Sequence, residues 1–168
     1  MLKNSNCRIC RRSGLKLFLK GEKCEGDKCP FAKRSYAPGH LGARARMKRG
    51  SDYSVQLNEK QKLRAIYGIS EKQLSNYYSL ARKNKTGSGE ILLQILERRL
   101  DNVVYKCGWV QSRDHARQAV THGKVKVNNR KTKSPGFLIS PNDVIEFCSE
   151  VNVEKIKHTE LPAWVKNE

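Results

Sequence analysis

The sequence is short of acidic residues, with 16 Asp and Glu against 34 Lys and Arg, and its formal net charge is +18. Apolar residues are also scarce at 38%, below the usual share for a globular chain. It contains no apolar run of the roughly 18 residues that would suggest a membrane-spanning helix. The short apolar stretch near the N-terminus is interrupted by Lys16 and followed by Lys20, unlike the core of a signal peptide. These absences argue against a membrane-spanning or secreted protein.

Positive charge is abundant, and it is unevenly spread along the chain. Residues 1–50 hold 14 basic and 3 acidic residues, and residues 51–97 hold 7 and 5. Residues 98–136 hold 10 and 2, and residues 137–168 hold 3 and 6. Two basic zones therefore flank a nearly neutral segment, and an acidic tail follows. An excess of positive charge of this size repels itself unless an anionic partner neutralises it. That partner could be nucleic acid, an anionic membrane or acidic protein.

Turn residues and apolar periodicity divide the chain into four parts. Residues 1–50 show neither the helical nor the strand periodicity of apolar residues and are predicted to be a basic loop region. Residues 51–89 are predicted to be helical, with one helix over 52–67 ended by Gly68 and a second opened by Ser70. A short C-terminal tail is predicted over 151–168. None of these parts contains an internal repeat.

The remaining part, residues 90–150, is predicted to mix helices and strands. A strong apolar stripe predicts a helix over 90–106, and a cap at Ser112 predicts another over 113–122. Alternating residues around Val125 and Val127 and a second run over 144–147 predict short strands. The expected fold class is therefore α+β.

Four of the six cysteines form two close pairs, Cys7-x2-Cys10 and Cys24-x4-Cys29. Four thiolates on two short knuckles match a tetrahedral structural zinc site, and in a reducing compartment clustered cysteines favour a metal over disulfides. The prediction is one structural zinc ion that orders the N-terminal region. Cysteines without metal, or an iron–sulfur cluster, are the alternatives. Cys107 and Cys148 stand alone and are predicted to be core residues.

Basic residues interleaved with an aromatic ring follow the cysteines. Guanidinium groups pair with phosphates, and a tyrosine ring can stack on an unpaired base. The alternative is a solvated, self-repelling loop. The candidate RNA-contacting residues of this half of the chain, including two on the predicted helix over 52–67, are Arg11, Arg12, Lys33, Arg34, Tyr36, Arg44, Arg46, Lys48, Arg49, Lys62 and Arg64.

The second basic zone contains a denser pattern. Arg113 and Arg117 lie four residues apart, so they share one face of the predicted helix, whereas Ala116, Ala119 and Val120 are expected to face the core. Asp101 is expected to cap or to pair with an arginine. The candidate RNA-contacting residues of this zone are Arg98, Arg99, Arg113, Arg117, Gln118, His122, Lys124, Lys126, Asn128 and Arg130.

The order of motifs in this zone resembles a known RNA-binding domain. The motifs are Arg98-Arg99-Leu100-Asp101-Asn102, Ser112-Arg113-Asp114-His115-Ala116-Arg117-Gln118-Ala119-Val120, His122-Gly123-Lys124-Val125 and Pro141-Asn142-Asp143-Val144-Ile145. They are similar to the small domain shared by a ribosomal protein, pseudouridine synthases, tyrosyl-tRNA synthetases and a heat-shock protein. That resemblance implies two helices packed on a few short antiparallel strands, with RNA lying across the helical face and the adjoining loop.

The flanking motifs narrow the resemblance to the family of bacterial-type small-subunit ribosomal protein four. They are Cys7-Arg8-Ile9-Cys10-Arg11-Arg12, Arg34-x-Tyr36-x-Pro38-Gly39-His40, Leu57-x-Glu59-Lys60-Gln61-Lys62-Leu63-Arg64 and Leu92-Leu93-Gln94-x-Leu96-Glu97-Arg98-Arg99. Family members commonly continue beyond the small domain. Here Leu161-Pro162-Ala163-Trp164-Val165 resembles the start of that continuation.

The resemblance implies a structural, non-enzymatic protein of the small ribosomal subunit. It implies primary binding to a junction in the 5′ domain of the ribosomal RNA, nucleation of the subunit body and an influence on translational accuracy. Its implied surroundings are small-subunit protein five, neighbouring ribosomal proteins and the mRNA entry path, without a membrane and without a homo-oligomer. The implied compartment is the cytoplasm, with an organellar ribosome as the alternative.

An enzyme and a DNA-binding regulator are the two alternative function classes. An enzyme would need a nucleotide-binding loop, a nucleophile with its base or paired carboxylates, and none of these patterns is present. A zinc-dependent DNA-binding regulator fits the cysteines and the charge. However, no recognition-helix pattern follows the cysteines.

Overall fold

The computed structural model describes residues 6–39, 42, 50–83 and 87–148. These residues fall into two compact units that divide between Glu71 and Lys72. Most of the described chain is helical, and one three-stranded antiparallel sheet lies in the second unit. The α+β class is thus confirmed, and the four-part division stays a prediction. No helix in the described ranges combines the length and apolarity needed to cross a membrane.

The cysteine-bearing part of the first unit is more helical than predicted. It contains α1 (Asn6–Ser13) and two single-turn helices, α2 (Glu22–Glu25) and α3 (Pro30–Lys33). Pro30 occupies the first turn of α3, where its fixed φ suits a helix start. The prediction of a loop was therefore wrong for these stretches. The buried residues in the described part of this region are Cys10 in α1, Cys24 in α2 and Cys29 just before α3. The region therefore has almost no ordinary apolar core.

Helix α4 (Asp52–Tyr67) confirms the prediction over 52–67. The Ser51 hydroxyl accepts a hydrogen bond from Ser54 N at the start of the helix, which satisfies one of its free amides. Gly68 ends the helix with φ 62°, a left-handed conformation that glycine adopts without strain. Helix α5 (Glu71–Arg82) begins directly after Ser70, where the second helix was expected.

The long helix predicted over 90–106 is interrupted. The structure contains α6 (Ser88–Glu97) and α7 (Leu100–Lys106), with Arg98 and Arg99 between them. The backbone at the break pairs with a distant segment instead of continuing the helix. Leu100 N donates to Phe137 O (2.8 Å), and Ile139 N donates to Arg98 O (2.8 Å). The continuous-helix prediction was wrong because this long-range pairing replaces local helical hydrogen bonds.

The rest of the second unit follows the sequence prediction. Helix α8 (Arg113–Thr121) begins at a Ser112 cap that accepts from His115 N. The strands are β1 (Val125–Val127), β2 (Arg130–Lys131) and β3 (Ile145–Phe147), and β1 lies between its two antiparallel partners. Asn128 and Asn129 have φ values of 50° and 65°, as a tight hairpin turn requires.

The core of the second unit lies where α7 and α8 pack and extends to the strands. Its buried members are Leu100, Val104, Val110, Ala116, Val120, Val125 and Val127. Ala116, Ala119 and Val120 are buried as predicted. This packing leaves the opposite face of α8 available for polar contacts.

The two lone cysteines differ in burial, and only Cys148 contradicts its predicted core position, because it is exposed. Burial raises the pKa of Cys107 to about 11. Since the thiolate is the nucleophile, iodoacetamide at pH 8 is expected to alkylate Cys148 roughly tenfold or more faster than Cys107. Mass spectrometry of tryptic peptides over a time course would measure both rates, and equal rates would contradict the burial difference.

Candidate nucleic-acid interface

The four N-terminal cysteines line one small cavity of about 10 Å³. Cys10, Cys24 and Cys29 are buried, and Cys7 is partly exposed. Burial raises the pKa of Cys10, a backbone hydrogen bond from Leu17 lowers it, and the three neighbouring cysteines raise it further. The cavity therefore favours the neutral thiol at Cys10.

The donor set around this cavity suits a structural zinc ion. Four sulfur ligands on short segments match its tetrahedral preference, and Lys20 N donates to Cys24 Sγ at 3.3 Å. Such N–H donors stabilise the thiolates that a metal requires. However, no group of three or more His, Cys, Asp or Glu side chains within the described ranges is already arranged to hold a metal. The zinc ion therefore stays a prediction.

A basic cleft of about 660 Å³ lies between α1 and α4 in the first unit. Its cationic lining comes from Arg8, Arg11, Arg12 and Arg64, and the described residues that line it include no acid. Asn58 and Gln61 add amide groups from α4. The cleft can therefore accept an anion together with a hydrogen-bonding partner.

Two residues of this unit that are predicted to contact RNA are in contact with each other. Arg11 Nε donates to Tyr36 O at 2.9 Å, and the Arg11 guanidinium carbon lies 4.9 Å from the centroid of the Tyr36 ring. Arg11 thus ties α1 to the segment after α3, and Tyr36 is 40% exposed. Sequence reasoning treated the two as separate RNA contacts and missed their mutual contact.

The two residues of α4 that are predicted to contact RNA already have acidic partners. Lys62 Nζ lies 2.6 Å from Glu59 Oε1, and Arg64 Nη1 lies 2.7 Å from Glu71 Oε2. Lys60 also pairs with Glu71. Hydrogen bonds from Lys60 and Arg64 lower the pKa of the Glu71 carboxyl. Much of the positive charge on this face is therefore balanced locally.

The other candidates of the first half divide into two sets. Arg12, Lys33 and Arg34 are exposed and can reach a polyanion. The predicted contacts that lie outside the described residues are Arg44, Arg46, Lys48 and Arg49.

In the second unit, accessible candidates surround the C-terminal half of α8 and the first hairpin. Arg117 is partly exposed. The exposed candidates are Gln118, His122, Lys124 and Arg130. Their positions on one helix, the turn after it and the hairpin agree with the predicted grouping of basic residues.

Lys126 and Asn128 have intramolecular partners. Lys126 lies opposite Glu146 in the sheet, with Nζ 3.4 Å from Oε2. Asn128 Nδ2 donates to Asp143 Oδ1, and Val144 N donates to Asn128 Oδ1, both at 2.9 Å. Asn128 therefore joins the hairpin to the segment before β3. Because it is exposed, its assignment as an RNA contact stays a prediction.

Arg98 and Arg99 were both predicted to contact RNA, but their environments differ. Arg98 is exposed, and its Nε donates to Ile139 O at 2.7 Å. Arg99 is fully buried. Its Nε and Nη2 donate to the two carboxylate oxygens of Asp101 (3.0 and 2.5 Å), and its Nη1 donates to Tyr77 Oη (2.8 Å). Arg99 is therefore an internal structural residue, and its assignment as an RNA contact is corrected. The pairing predicted for Asp101 is confirmed.

Arg99→Met is expected to lower the free energy of unfolding of the second unit by about 3 kcal/mol, because it leaves the Asp101 carboxylate buried without its partner. The neighbouring Arg98→Met, which loses one exposed hydrogen bond, should cost about 1 kcal/mol. Urea unfolding would measure both variants in a Trp164→Phe background, where Trp109 is the remaining tryptophan. Equal costs for the two variants would contradict the buried pair.

Arg113 is held on α8 by two groups of α7. Its Nε donates to Asn102 Oδ1 at 2.8 Å, and its guanidinium carbon lies 4.5 Å from the centroid of the Tyr105 ring. Arg113 is partly exposed and Asn102 is 1% exposed. The sequence did not single out Asn102 or Tyr105 as partners of Arg113, although Asn102 belongs to the motif Arg98-Arg99-Leu100-Asp101-Asn102.

Comparisons with known proteins agree with this architecture. Residues 1–97 match the family described as ribosomal protein S4/S9 N-terminal domain, and residues 98–145 match the S4 domain. Proteins named small ribosomal subunit protein uS4 are 45% identical in Dictyoglomus thermophilum, over 96% of this chain and 80% of the relative, and 48% identical in Syntrophus aciditrophicus, over 99% and 83%. Small ribosomal subunit protein uS4A of Clostridium botulinum is 50% identical over 96% of this chain and 80% of its own length. The chain therefore belongs to the uS4 family of small ribosomal subunit proteins.

Proposed function

We propose that the chain is a non-enzymatic structural constituent of the small ribosomal subunit that binds the ribosomal RNA of that subunit directly. The observation that carries the proposal is the basic surface around α8, formed by Arg113, Arg117, His122, Lys124 and Arg130. Cations of this density on a rigid helix and hairpin can neutralise successive phosphates of a folded RNA. Its place of action is the ribosome in the cytoplasm, with an organellar ribosome as the alternative.

The finer proposal concerns the position and role within the subunit. The RNA target is a multi-helix junction of the 5′ domain, where the chain binds early and nucleates assembly of the subunit body. Two separate basic surfaces, the cleft of the first unit and the surface around α8, support a junction because they can hold different RNA helices. Contact with small-subunit protein five, a position near the mRNA entry path and an effect on translational accuracy belong to the same proposal.

A structural zinc ion is the proposed cofactor of the first unit. Cys7, Cys10, Cys24 and Cys29 would hold it through their thiolates, which replaces the missing apolar core of this region with metal–sulfur bonds. Four thiolate ligands leave no open position for a catalytic water. The role of this site is therefore to order α1–α3 so that Arg12, Lys33 and Arg34 have fixed positions.

The test is binding to a transcript of the small-subunit ribosomal RNA, with duplex DNA as competitor. The triple variant Arg117→Ala, Lys124→Ala, Arg130→Ala should weaken binding at least about tenfold. A charge-matched control removes three exposed cations of α5 and the residue after it, in the triple variant Lys72→Ala, Arg82→Ala, Lys83→Ala. This control should bind within about twofold of the unaltered chain, because its three cations lie outside the proposed surface although the two variants lose the same charge.

Two results would contradict the proposal. Equal losses in the two triple variants would show that net charge, not the surface around α8, determines binding. Equal competition by duplex DNA would favour the DNA-binding alternative. Cosedimentation with small ribosomal subunits in a lysate gradient tests the cellular role separately, and pseudouridine formation in the transcript would support an enzyme instead.

A further inference from the structure

The basic cleft between α1 and α4 has two walls of different chemistry. On α1, Arg8 and Arg12 line the cleft and are exposed, and because they lie four residues apart they are neighbours on the helix surface. Like charges at this spacing destabilise a helix, and neither arginine forms an ion pair with a described residue. An anion bound in the cleft would remove this repulsion.

The wall on α4 is polar and carries little free charge. Asn58 and Gln61 lie three residues apart and line the cleft, and the charge of Arg64 beside them is paired with Glu71. An amide side chain has both donors and an acceptor, which matches the mixed edge of a nucleotide base, whereas a phosphate only accepts. Asn and Gln pair in particular with adenine, which presents an amine donor beside a ring-nitrogen acceptor.

The size of the cleft favours a ligand larger than a phosphate ion. Its volume of about 660 Å³ lies within the range of roughly 300 to 1,000 Å³ that small-ligand pockets occupy. A base inside an RNA helix is stacked and paired, but an unpaired base can turn outward and present its edge to a protein. One cationic wall, one amide wall and this volume together suit a single unpaired nucleotide.

We propose that this cleft binds one unpaired adenosine of the small-subunit rRNA. Its phosphate binds the two arginines of α1, and its adenine base binds the two amides of α4. This inference rests on the proposed RNA-binding function, and it adds Arg8, Asn58 and Gln61, which were not among the predicted RNA contacts. The phosphate contact supplies position and affinity, whereas the amides make binding depend on the identity of one base.

Gln61→Glu and Gln56→Glu form a matched pair of variants. Both residues lie on α4, but Gln61 lines the cleft and Gln56 does not. A carboxylate in the cleft would repel the phosphate and could not donate to the base. Gln61→Glu should therefore weaken binding to the small-subunit rRNA transcript about tenfold or more, the size of a lost base contact. Gln56→Glu adds the same charge and should bind within about twofold of the unaltered chain.

Modification interference tests whether the amides contact a single base. Transcripts that carry purine riboside at random adenosine positions lack the amine that adenine donates with, and the bound and unbound fractions are compared. One unpaired adenosine should show interference with the unaltered chain and none with the double variant Asn58→Ala, Gln61→Ala. Every other interference position should be the same for the two proteins.

The salt dependence of binding tests the arginine wall. The double variant Arg8→Ala, Arg12→Ala should make the log–log slope shallower by about 1, because the two cations share one phosphate. The amide double variant should weaken binding with the slope unchanged, because it removes no charge. An unchanged slope in the arginine variant would overturn the phosphate contact. Circular dichroism checks that each variant is folded.

The outcomes distinguish this inference from the proposed function. Suppose that the unaltered chain prefers the rRNA transcript over duplex DNA, but the two glutamate variants bind it equally or the amide double variant keeps every interference position. The adenosine site is then overturned and the proposed function stands. Loss of poly-glutamate peptide binding in Gln61→Glu, with rRNA binding unchanged, would assign the cleft to an acidic protein segment instead. If the unaltered chain shows no preference for the transcript, the proposed function fails and the inference fails with it.

Discussion

Removal of zinc from a zinc-loaded chain is expected to unfold α1–α3 while the second unit stays folded. The proposed metal–sulfur bonds contribute on the order of 10 kcal/mol in small structural zinc sites. The buried side chains of this region are Cys10, Cys24 and Cys29, so little apolar burial is left to hold the helices without the ion. The core around Leu100 and Val120 contains none of the proposed ligands.

Hydrogen exchange measured peptide by peptide before and after chelation would test this expectation. Protection should be lost over residues 6–33 and retained over 100–127. Cys24→Ser should reproduce the loss at any metal concentration, and Cys148→Ser, at an exposed cysteine outside the proposed ligand set, serves as a control. Equal loss of protection in both units, or a chain that shows no change on chelation, would contradict a zinc ion confined to the first unit.

Local signals predicted the elements whose ends depend on neighbouring residues. The Ser51 cap and Gly68 define α4, the Ser112 cap opens α8, and the Asn128-Asn129 turn joins β1 to β2. The break after α6 was not predictable in this way. The apolar spacing continues across it, and the hydrogen bonds that interrupt the helix come from a segment near Phe137, almost forty positions along the chain.

The same distinction applies to the candidate interface. The basic character of the two zones followed from composition, but the sequence could not tell which candidate side chains have internal partners. Arg99 is adjacent to the exposed Arg98, yet its guanidinium is enclosed by Asp101 and by Tyr77 from another helix. Asn128 is likewise held by Asp143, fifteen positions away. Identifying such pairs requires the tertiary structure, because the partners are distant or indistinguishable by residue type.

Binding to the small-subunit rRNA transcript is expected to weaken by about 1000-fold or more when salt rises from about 50 to 200 mM, a log–log slope of roughly −5 or steeper. Each phosphate neutralised by a cation releases condensed counterions, with a slope of about −0.9 per contact on a duplex. Described candidates that are exposed or partly exposed could supply such contacts, and they include Arg12, Lys33, Arg34, Arg113, Arg117, Lys124 and Arg130.

The slope also tests where these contacts lie. The variant that replaces Arg117, Lys124 and Arg130 with alanine should make the slope shallower by about 2 to 3, because three phosphate contacts are lost. The charge-matched control on α5 should leave the slope unchanged, although the two proteins carry the same net charge. Filter binding at four or five salt concentrations measures both. A shallow slope in the unaltered chain would contradict an extended phosphate-binding surface, and an equal change in the two variants would place the contacts elsewhere on the chain. The predicted contacts at Arg44, Arg46, Lys48 and Arg49 would then be the next cations to replace.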